Sequence, residues 1–383
     1  MTAVCHRGAA FLLDTSPTVW TSLDEFHYQM SHALFQRGIQ PVLLYAVEPP
    51  LSYQKRMHAS GAIIDTLNYK TPKTSYFPAL GKIARKYNVE VIQSRGFNYF
   101  TLLWWMARLH GIRRIIFVEG NSGLLRAKSW KRLLLQLRAK ALTLPISQTV
   151  SVSRFVKDQL VQVGLPAERV VPIHNGVDLR RFHPDPQARE EFRRQYGIQP
   201  DEVVLATISY LRDFKKPHIV LEACAHLVRR GLPVHLFVAG DGELMDSMIA
   251  LASQLGISDK VHWLGNFSQT EKLLQASDVF VLASVGEAFG SALIEAMACG
   301  VPSVGSRSGG IPEVIEDGST GFLATPLDSR DFAQKIAQIV SQPELRCKMI
   351  RQSLQRAREK FSIERTVSDF LRVYQDLGVI NHA

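Results

Sequence analysis

The chain has 383 residues, of which 46% are apolar and 21% are charged. This length exceeds the roughly 100–200 residues of one typical domain, so the sequence predicts a soluble protein with two domains. No run approaches the about 20 consecutive apolar residues of a membrane-spanning helix, and the first residues lack the apolar core of a secretion signal. The four cysteines form no Cys-x-x-Cys pair, which indicates reduced thiols and a cytoplasmic protein.

The formal net charge of +10 is concentrated in the first half of the chain. Residues 1–175 hold 22 Lys and Arg against 9 Asp and Glu, whereas residues 176–383 hold 23 against 26. Residues 126–140 alone carry six basic residues and no acidic one, interleaved with Trp130 and several leucines. This pattern predicts a helix that is either solvated, with leucines facing the core, or bound to anionic lipid headgroups. Nucleic acid is disfavoured, because no zinc-finger, RRM-like or basic-zipper pattern accompanies the charge.

Short apolar runs alternate with amphipathic segments along the chain. In the first half, strands are predicted at 9–13, 41–45, 89–93, 113–118 and 147–152, and helices near 22–37, 76–87, 98–110, 124–141 and 153–163. In the second half, strands are predicted at 203–208, 234–240, 260–265, 279–284 and 301–306, each followed by a helix. The alternation predicts an α/β fold of two doubly wound parallel sheets with helices on both faces.

A turn-rich segment at 174–187 separates the two halves and is the predicted hinge. Open parallel sheets bind ligands beyond the carboxyl ends of their strands. Two such domains facing each other therefore predict a ligand site in the cleft between them.

Several kinds of chemistry are disfavoured. Gly240 and Gly242 follow a predicted strand as in a dinucleotide-binding fingerprint, but Met245 stands where the third glycine is needed. No Asp-x-Asp, His-Glu-x-x-His or Cys-x-x-Cys motif occurs, which disfavours a protein-held metal. The Gly-x-Ser-x-Gly motif of serine hydrolases is absent as well.

Residues 279–322 predict a strand, a glycine-containing loop and a helix from Ser291 to Cys299. The N–H groups at such a helix start favour an anion or a polarised oxygen. Glu287 precedes the helix and Glu295 lies inside it; if the residues between them are helical, their eight steps rise roughly 12 Å. Because glycosidase carboxylates lie about 5–9.5 Å apart, this pair would instead hold different parts of one elongated ligand. The alternative is a helix N-terminal acid and an exposed helical residue without a shared site.

Glu287 and Glu295 form an E-x7-E motif, and the sequence around it resembles family 4 of the retaining glycosyltransferases, which have the GT-B architecture of two Rossmann-like domains. Further segments that look like those of this family follow in the expected order, namely 150–184, 211–223, 238–244, 261–265, 309–323 and 361–374. The likeness is strong over about residues 145–375 and only architectural before them. It implies an acceptor-binding domain at 1–178, a nucleotide-sugar-binding domain at 179–360, and a helix at 361–383 that crosses back to the first domain.

The resemblance also implies roles for individual residues. Glu295 would accept hydrogen bonds from ribose hydroxyls, as a carboxylate can. Glu287, with backbone groups of Phe289 and Gly290, would hold the hydroxyls of the donor sugar. Lys215, with Arg212 nearby, would neutralise the leaving diphosphate, because without a metal this task falls to cations and helix ends. The other donor-binding residues implied are Gly240, Gly242, Leu264, Ser291 and Leu293. For Lys215 and Lys216 the alternative is an exposed loop.

Family membership further implies retention of anomeric configuration, with the leaving phosphate serving as the base and no metal or other cofactor required. The sequence departs from the family pattern at three places. Tyr210 stands where many members have Arg, and 15–26 replaces the usual glycine pair after the first strand. Glu119 stands near the position of an acceptor-side His, so it is a candidate acceptor contact or base; the alternative is a structural acid at the end of a strand. His27 and His110 are expected to be satisfied or exposed.

The sequence therefore predicts a retaining hexosyltransferase that uses a nucleoside-diphosphate sugar. The expected acceptor is a saccharide or lipid-linked saccharide of polysaccharide or lipopolysaccharide biosynthesis, reached from the cytoplasm with 126–140 at the inner membrane face. Two alternatives remain open at this point. One is a nucleotide-sugar epimerase or hydrolase of the same fold, and the other is a non-catalytic nucleotide-sugar-binding module.

Overall fold

The computed structural model describes residues 7–13, 20–68, 73–96, 101–121, 141 and 143–381, so the predicted helix at 126–140 lies outside the described residues. The chain divides into two compact units. The first unit combines Met1–His174 with Ile363–Ala383, and the second is Asn175–Ser362. The sequence-based limits at 178 and 361 lie four and two residues away from these divisions.

The first unit contains a parallel seven-stranded sheet in the order β3-β2-β1-β4-β5-β6-β7. Its strands are β1 Arg7–Leu13, β2 Ile39–Tyr45, β3 Ile63–Thr66, β4 Val89–Arg95, β5 Arg114–Glu119, β6 Gln148–Ser151 and β7 Val170–Pro172. Five of them fall where apolar runs predicted strands. The two outermost strands, β3 and β7, were missed; they have four and three residues, most of which are not fully buried, so no longer apolar run marks them.

The helices of the first unit pack around this sheet. In the described ranges they are α1 Ser22–Phe35, α2 Leu51–His58, α3 Lys73–Lys86, α4 Leu103–Leu109, α5 Arg154–Gln162 and a C-terminal helix, Ile363–Asp376. Helix α1 begins at a capping box, in which Thr21 and Asp24 bond each other's backbone N–H groups. The C-terminal helix belongs to this unit: its Phe370 ring packs against Phe26, with centroids 5.0 Å apart. Its Tyr374 hydroxyl donates to Gln93 Oε1 at 3.1 Å.

The second unit contains a parallel six-stranded sheet in the order β10-β9-β8-β11-β12-β13. Its strands are β8 Val203–Ile208, β9 Val234–Ala239, β10 Val261–Gly265, β11 Val279–Leu282, β12 Ser303–Ser306 and β13 Gly321–Ala324. The helices are α6 Pro186–Gln195, α7 Pro217–Arg229, α8 Met245–Gln254, α9 Thr270–Ala276, α10 Ser291–Ala298, α11 Ile311–Val314, α12 Ser329–Ser341 and α13 Pro343–Phe361. The prediction of two doubly wound parallel sheets is therefore confirmed.

A buried carboxylate ties helices α6 and α13 to the sheet of the second unit. Asp278 immediately precedes β11 and accepts the Val204 N–H at 2.8 Å. Three guanidinium groups contact this carboxylate at 2.6 to 3.2 Å, those of Arg189, Arg346 and Arg193. Burial alone would raise the pKa of Asp278, but the attraction of Arg189 and the other cations lowers it below its usual value.

The strand order decides where ligands can bind in the second unit. Because β8 lies between β9 and β11, the chain leaves β8 toward one edge of the sheet and later returns to its other side. The loops that follow β8 and β11 therefore meet at a topological switch point, where open α/β sheets bind ligands. The first unit has the same arrangement around β1, which lies between β2 and β4.

Two further findings concern the helices and the cysteines of the described residues. None of their helices is both long and apolar enough to cross a bilayer. The cysteines in this part of the chain, Cys224, Cys299 and Cys347, form no disulfide.

Candidate functional site

The loop after β8 is fixed to its neighbours by backbone hydrogen bonds. Leu211 is fully buried, and its N–H donates to the Asp241 carbonyl at 2.8 Å. The chain then makes a 3-10 turn, Asp213–Lys215, and Lys216 adopts a left-handed conformation with φ 49° before Pro217 begins α7. The carbonyl of Phe214 accepts the Val285 N–H at 2.8 Å, which joins this loop to the loop after β11.

This junction brings Lys215 and Glu287 together although 72 residues separate them. The distance from Lys215 Nζ to Glu287 Oε2 is 2.6 Å, and the two side chains are 18% and 12% exposed. The sequence predicted that the two residues share one site, and the structure places them in contact. Lys215 is therefore not part of a free, solvated loop.

The other charged residues of the loop after β8 are more exposed. The Lys216 ammonium pairs with Asp213 at 2.8 Å. The Arg212 guanidinium lies over the ring of Tyr210, 4.5 Å from its centroid. Tyr210, which replaces the family arginine, thus supports the arginine two positions later. The two loops carry three cations against two carboxylates, so they favour an anionic ligand.

Two glycines that the sequence analysis did not single out shape the loop of Glu287. Gly310 donates its N–H to the Glu287 carbonyl at 2.8 Å. A Cβ added to Gly309 or Gly310 would overlap the backbone of Glu287 or Ala288, so only glycine fits at both positions. Consecutive glycines separated by two residues from the predicted strand at 301–306 were the available signal for such a close approach.

Helix α10 begins directly after this loop, with Gly290 at φ 94°. Among the described residues, no side chain caps its first N–H groups, which leaves them available to a ligand oxygen. Ser291 is exposed, and its hydroxyl accepts a hydrogen bond from Asn175 at 3.2 Å. Phe289 and Leu293 are buried at 1% and 0% exposure. At these two positions the side chain is therefore closed to a ligand.

Glu295 lies on α10 and is half-buried. The helix begins at Ser291, as the sequence predicted, so the residues from Glu287 to Gly290 are not helical. The separation of roughly 12 Å derived from eight helical steps therefore does not apply. Gly290 interrupts the helical path because its left-handed conformation turns the chain before α10.

Gly240 and Gly242 allow the loop after β9 to approach the loop after β8. Their φ angles are 142° and 154°, and a Cβ on either residue would overlap the carbonyl oxygen of Ser209 or Leu211. The Gly240 N–H also donates to the Gly265 carbonyl at 2.8 Å, at the end of β10. Leu264 is half-buried at the same strand end. These glycines bring three loops together at the carboxyl edge of the sheet.

In the first unit, Glu119 ends β5 and is 5% exposed. Burial raises the pKa of its carboxyl group to about 7, against the lowering effect of the Asn121 N–H that bonds it at 2.8 Å. Arg95 ends the neighbouring strand β4, where it lies in register with Val118. A carboxyl group that exchanges its proton near neutral pH is suited to a contact or base role.

Neither histidine considered in the first unit is a candidate base. Burial and, to a smaller extent, the charge of Arg95 lower the pKa of His27 to about 3, so it stays neutral between the rings of Phe11 and Phe26. The ring of His110 packs where a Cβ of Gly81 would lie. Its Nε2 is buried without a hydrogen-bond partner in the described part of the chain, which corrects the expectation of a satisfied side chain.

Within the ranges that the structure describes, no group of three or more His, Cys, Asp or Glu residues could hold a metal ion. The charged side chains of the candidate donor site are those of Lys215, Arg212, Glu287 and Glu295, of which Lys215 and Glu287 are in contact. Together they are suited to an elongated ligand with anionic and hydroxyl groups.

The fold and this site define a two-unit α/β protein with a charged, glycine-lined ligand site at a switch point. Residues 26–181 match the model of Glycosyltransferase Family 4, and residues 188–356 match that of Glycosyl transferases group 1. The chain therefore belongs to the group 1 glycosyltransferases of family 4.

Two curated relatives and one solved structure illustrate the likeness. N-acetyl-alpha-D-glucosaminyl L-malate synthase of Bacillus anthracis is 33% identical over 59% of this chain and 59% of its own length. D-inositol 3-phosphate glycosyltransferase of Saccharomonospora viridis is 35% identical over 57% and 53%. The matches thus span little more than half of each relative. Anabaena Alr3699/HepE, solved with UDP and glucose, shares the GT-B fold at a TM-score of 0.82 and 18% identity, over 97% of this chain and 100% of its own.

Proposed function

We propose that this protein transfers a hexose from a nucleoside-diphosphate sugar to an acceptor hydroxyl, with retention of anomeric configuration and without a metal. The observation that carries the proposal is the 2.6 Å contact between Lys215 and Glu287 at the switch point. In a nucleoside-diphosphate sugar, phosphate oxygens and sugar hydroxyls are close neighbours. A cation and a hydroxyl-accepting carboxylate in contact are therefore complementary to that part of the donor.

Lys215 acts on the leaving group in this mechanism. The diphosphate binds the ammonium in competition with Glu287 and gains negative charge as the bond to the sugar breaks. That charge is stabilised by Lys215, Arg212 and the uncapped N–H groups of α10. Such electrostatic stabilisation of the transition state is usually the largest single contribution to lowering the barrier.

The carboxylates position the two ends of the donor. Glu287, released from part of its contact with Lys215, accepts hydrogen bonds from sugar hydroxyls together with backbone groups at Phe289 and Gly290. Glu295, one turn into α10, holds the ribose hydroxyls. A departing phosphate oxygen takes the proton of the attacking hydroxyl, so no side chain acts as a nucleophile and the new bond forms on the face that the phosphate leaves.

Glu119 is the proposed acceptor-side group. It ends a central strand of the first unit, at the sheet edge where parallel sheets bind ligands. Its carboxyl pKa of about 7 allows it to donate to or accept from an acceptor hydroxyl at neutral pH. The proposed acceptor is a saccharide or lipid-linked saccharide of cell-surface polysaccharide or lipopolysaccharide biosynthesis, used by a cytoplasmic enzyme at the inner membrane face.

A panel of UDP-, GDP- and ADP-hexoses tests this function. We expect one donor to release nucleotide slowly alone and faster with an acceptor, at an unchanged rate in EDTA, and to give a product of retained anomeric configuration by NMR. The acceptor panel should include L-malate and inositol 3-phosphate, since the names of two relatives contain them. An epimerised donor, or binding without turnover across the panel, would contradict transfer.

A further inference from the structure

Helix α4 is apolar on two faces, only one of which is buried. Leu103, Trp104 and Ala107 are at most 2% exposed and face the core of the first unit. On the opposite face, Leu102 is 51% exposed, Trp105 42% and Leu109 76%. Their spacing of three and four residues aligns these three side chains along one side of the helix.

A second segment extends this apolar surface. The Trp105 Nε1–H donates to the Ala141 carbonyl at 3.1 Å, and Arg108 Nε donates to the Pro145 carbonyl at 2.9 Å. Ala141 and residues 143–145 therefore lie alongside α4, and Leu144 is 58% exposed. We define the α4 patch as the four exposed side chains of Leu102, Trp105, Leu109 and Leu144. They are four of the nine large apolar side chains that are exposed in the described residues.

The described charged residues around the α4 patch are mainly basic. Between residues 91 and 149 the described residues include Arg95, Arg108, Arg113 and Arg114 against one acid, the buried Glu119. Helix α3, which packs against α4, exposes Lys82 and Arg85. Arg113 is exposed shortly after α4 ends. An apolar patch bordered by cations is complementary to acyl chains beneath anionic headgroups.

The hydrogen bonding of Trp105 suits the same environment. Because its indole N–H is already bonded to a backbone carbonyl, the ring can enter an apolar layer without losing a water partner. Tryptophan is also the side chain enriched at the headgroup level of membranes.

We propose that the α4 patch docks the first unit on an anionic lipid bilayer. Leu102, Leu109 and Leu144 enter the boundary of the acyl chains, Trp105 lies at headgroup level, and the surrounding Lys and Arg side chains contact lipid phosphates. The inference deepens the proposed function, because docking would bring the enzyme to a lipid-linked acceptor.

Vesicle sedimentation tests the proposal on the full-length protein. Vesicles of phosphatidylcholine with one quarter phosphatidylglycerol are compared with pure phosphatidylcholine, at low and high salt. Leu109→Ser removes the most exposed leucine, and Ile249→Ser removes an exposed isoleucine of the second unit, 46% exposed, as the matched control. We expect wild-type protein to pellet with the anionic vesicles, less at high salt, and the partition coefficient to fall at least tenfold in Leu109→Ser only.

Three results would overturn the proposal. They are no pelleting of wild-type protein with anionic vesicles, equal pelleting of Leu109→Ser and wild type, or a concentration-dependent dimer that Leu109→Ser abolishes. Thermal unfolding of each variant checks that it is folded. Donor hydrolysis measured without vesicles separates this proposal from the proposed function, because it should be unchanged in Leu109→Ser even if docking fails.

Discussion

Replacing Lys215 by alanine tests the central contact of the donor site. The Lys215 ammonium lies 2.6 Å from Glu287 Oε2 in a partly buried position, and Arg212 is the more exposed cation of the same loop. Removing one preorganised group that stabilises charge in a transition state costs about 10²–10³ in kcat, or about 2.7–4 kcal/mol. We expect kcat/KM for the donor to fall by about that factor, and Lys215→Arg to restore part of it.

The same substitution leaves Glu287 without its cation. An unsatisfied, partly buried group costs about 1–3 kcal/mol, so the second unit should lose stability by that amount and still fold. Thermal unfolding measured beside steady-state nucleotide release separates the two effects. If only stability mattered, lowering the assay temperature would restore turnover, whereas loss of transition-state stabilisation persists at every temperature at which the variant is folded.

Lys216→Ala is the matched control, since it removes the neighbouring ammonium, which pairs with Asp213 rather than Glu287. We expect its kcat/KM to stay within about threefold of wild type, because an exposed ion pair contributes only about 0–1 kcal/mol. A folded Lys215→Ala variant within fivefold of wild type would refute the assigned role. Equal losses of kcat/KM in both variants would show that the loop acts through its total positive charge and not through a specific contact of Lys215.

Three further substitutions test other parts of the structure. The free energy of unfolding in urea should fall from about pH 4.5 to pH 7, because unfolded Glu119 ionises first, and Glu119→Gln should flatten that slope. Gly309→Ala should raise the donor KM at least tenfold by displacing the Glu287 backbone, whereas Gly318→Ala, also at positive φ but in open space, should not. Asp278→Asn should destabilise the second unit by about 3–5 kcal/mol in urea unfolding, because three arginines lose their shared carboxylate. The role of Glu119 would be contradicted by a wild-type unfolding free energy that does not change with pH. An unchanged donor KM in Gly309→Ala would contradict the need for glycine there, and an Asp278→Asn variant as stable as wild type would contradict the role of the shared carboxylate.

The sequence was sufficient to predict the two parallel sheets but not all of their strands and helices. Alternating apolar runs predicted both parallel sheets, because a buried parallel strand is apolar on both faces. The short strands β3, β7 and β13 and the helix α2 were missed; they have three to eight residues, so local periodicity marks them poorly. The longer helices α6 and α13, of 10 and 19 residues, were not predicted either.

At the site, the sequence could indicate residue types but not the path of the backbone. The sequence placed the helix start at Ser291, where α10 begins, but it could not show that Gly290 turns the chain at φ 94° just before that helix. The roles of Gly309 and Gly310 depend on atoms of a loop about 20 residues earlier, which no local pattern of letters contains. A glycine required by close approach is recognisable only once the partner segment is known.

The contact between Lys215 and Glu287 follows from strand order rather than from proximity in sequence. Strands β8 and β11 are paired directly, with Val279 opposite Leu205, so the two loops at their carboxyl ends must lie side by side. The passage of the chain through the two strands β9 and β10 does not alter this, because both are added on the far side of β8. A doubly wound sheet thus places a cation from its first loop beside an acid from its fourth. Substitutions in either loop leave the strand order intact, so the two loops still meet at the same place. The charged residues of the loops, and not the fold, therefore determine which ligand binds there.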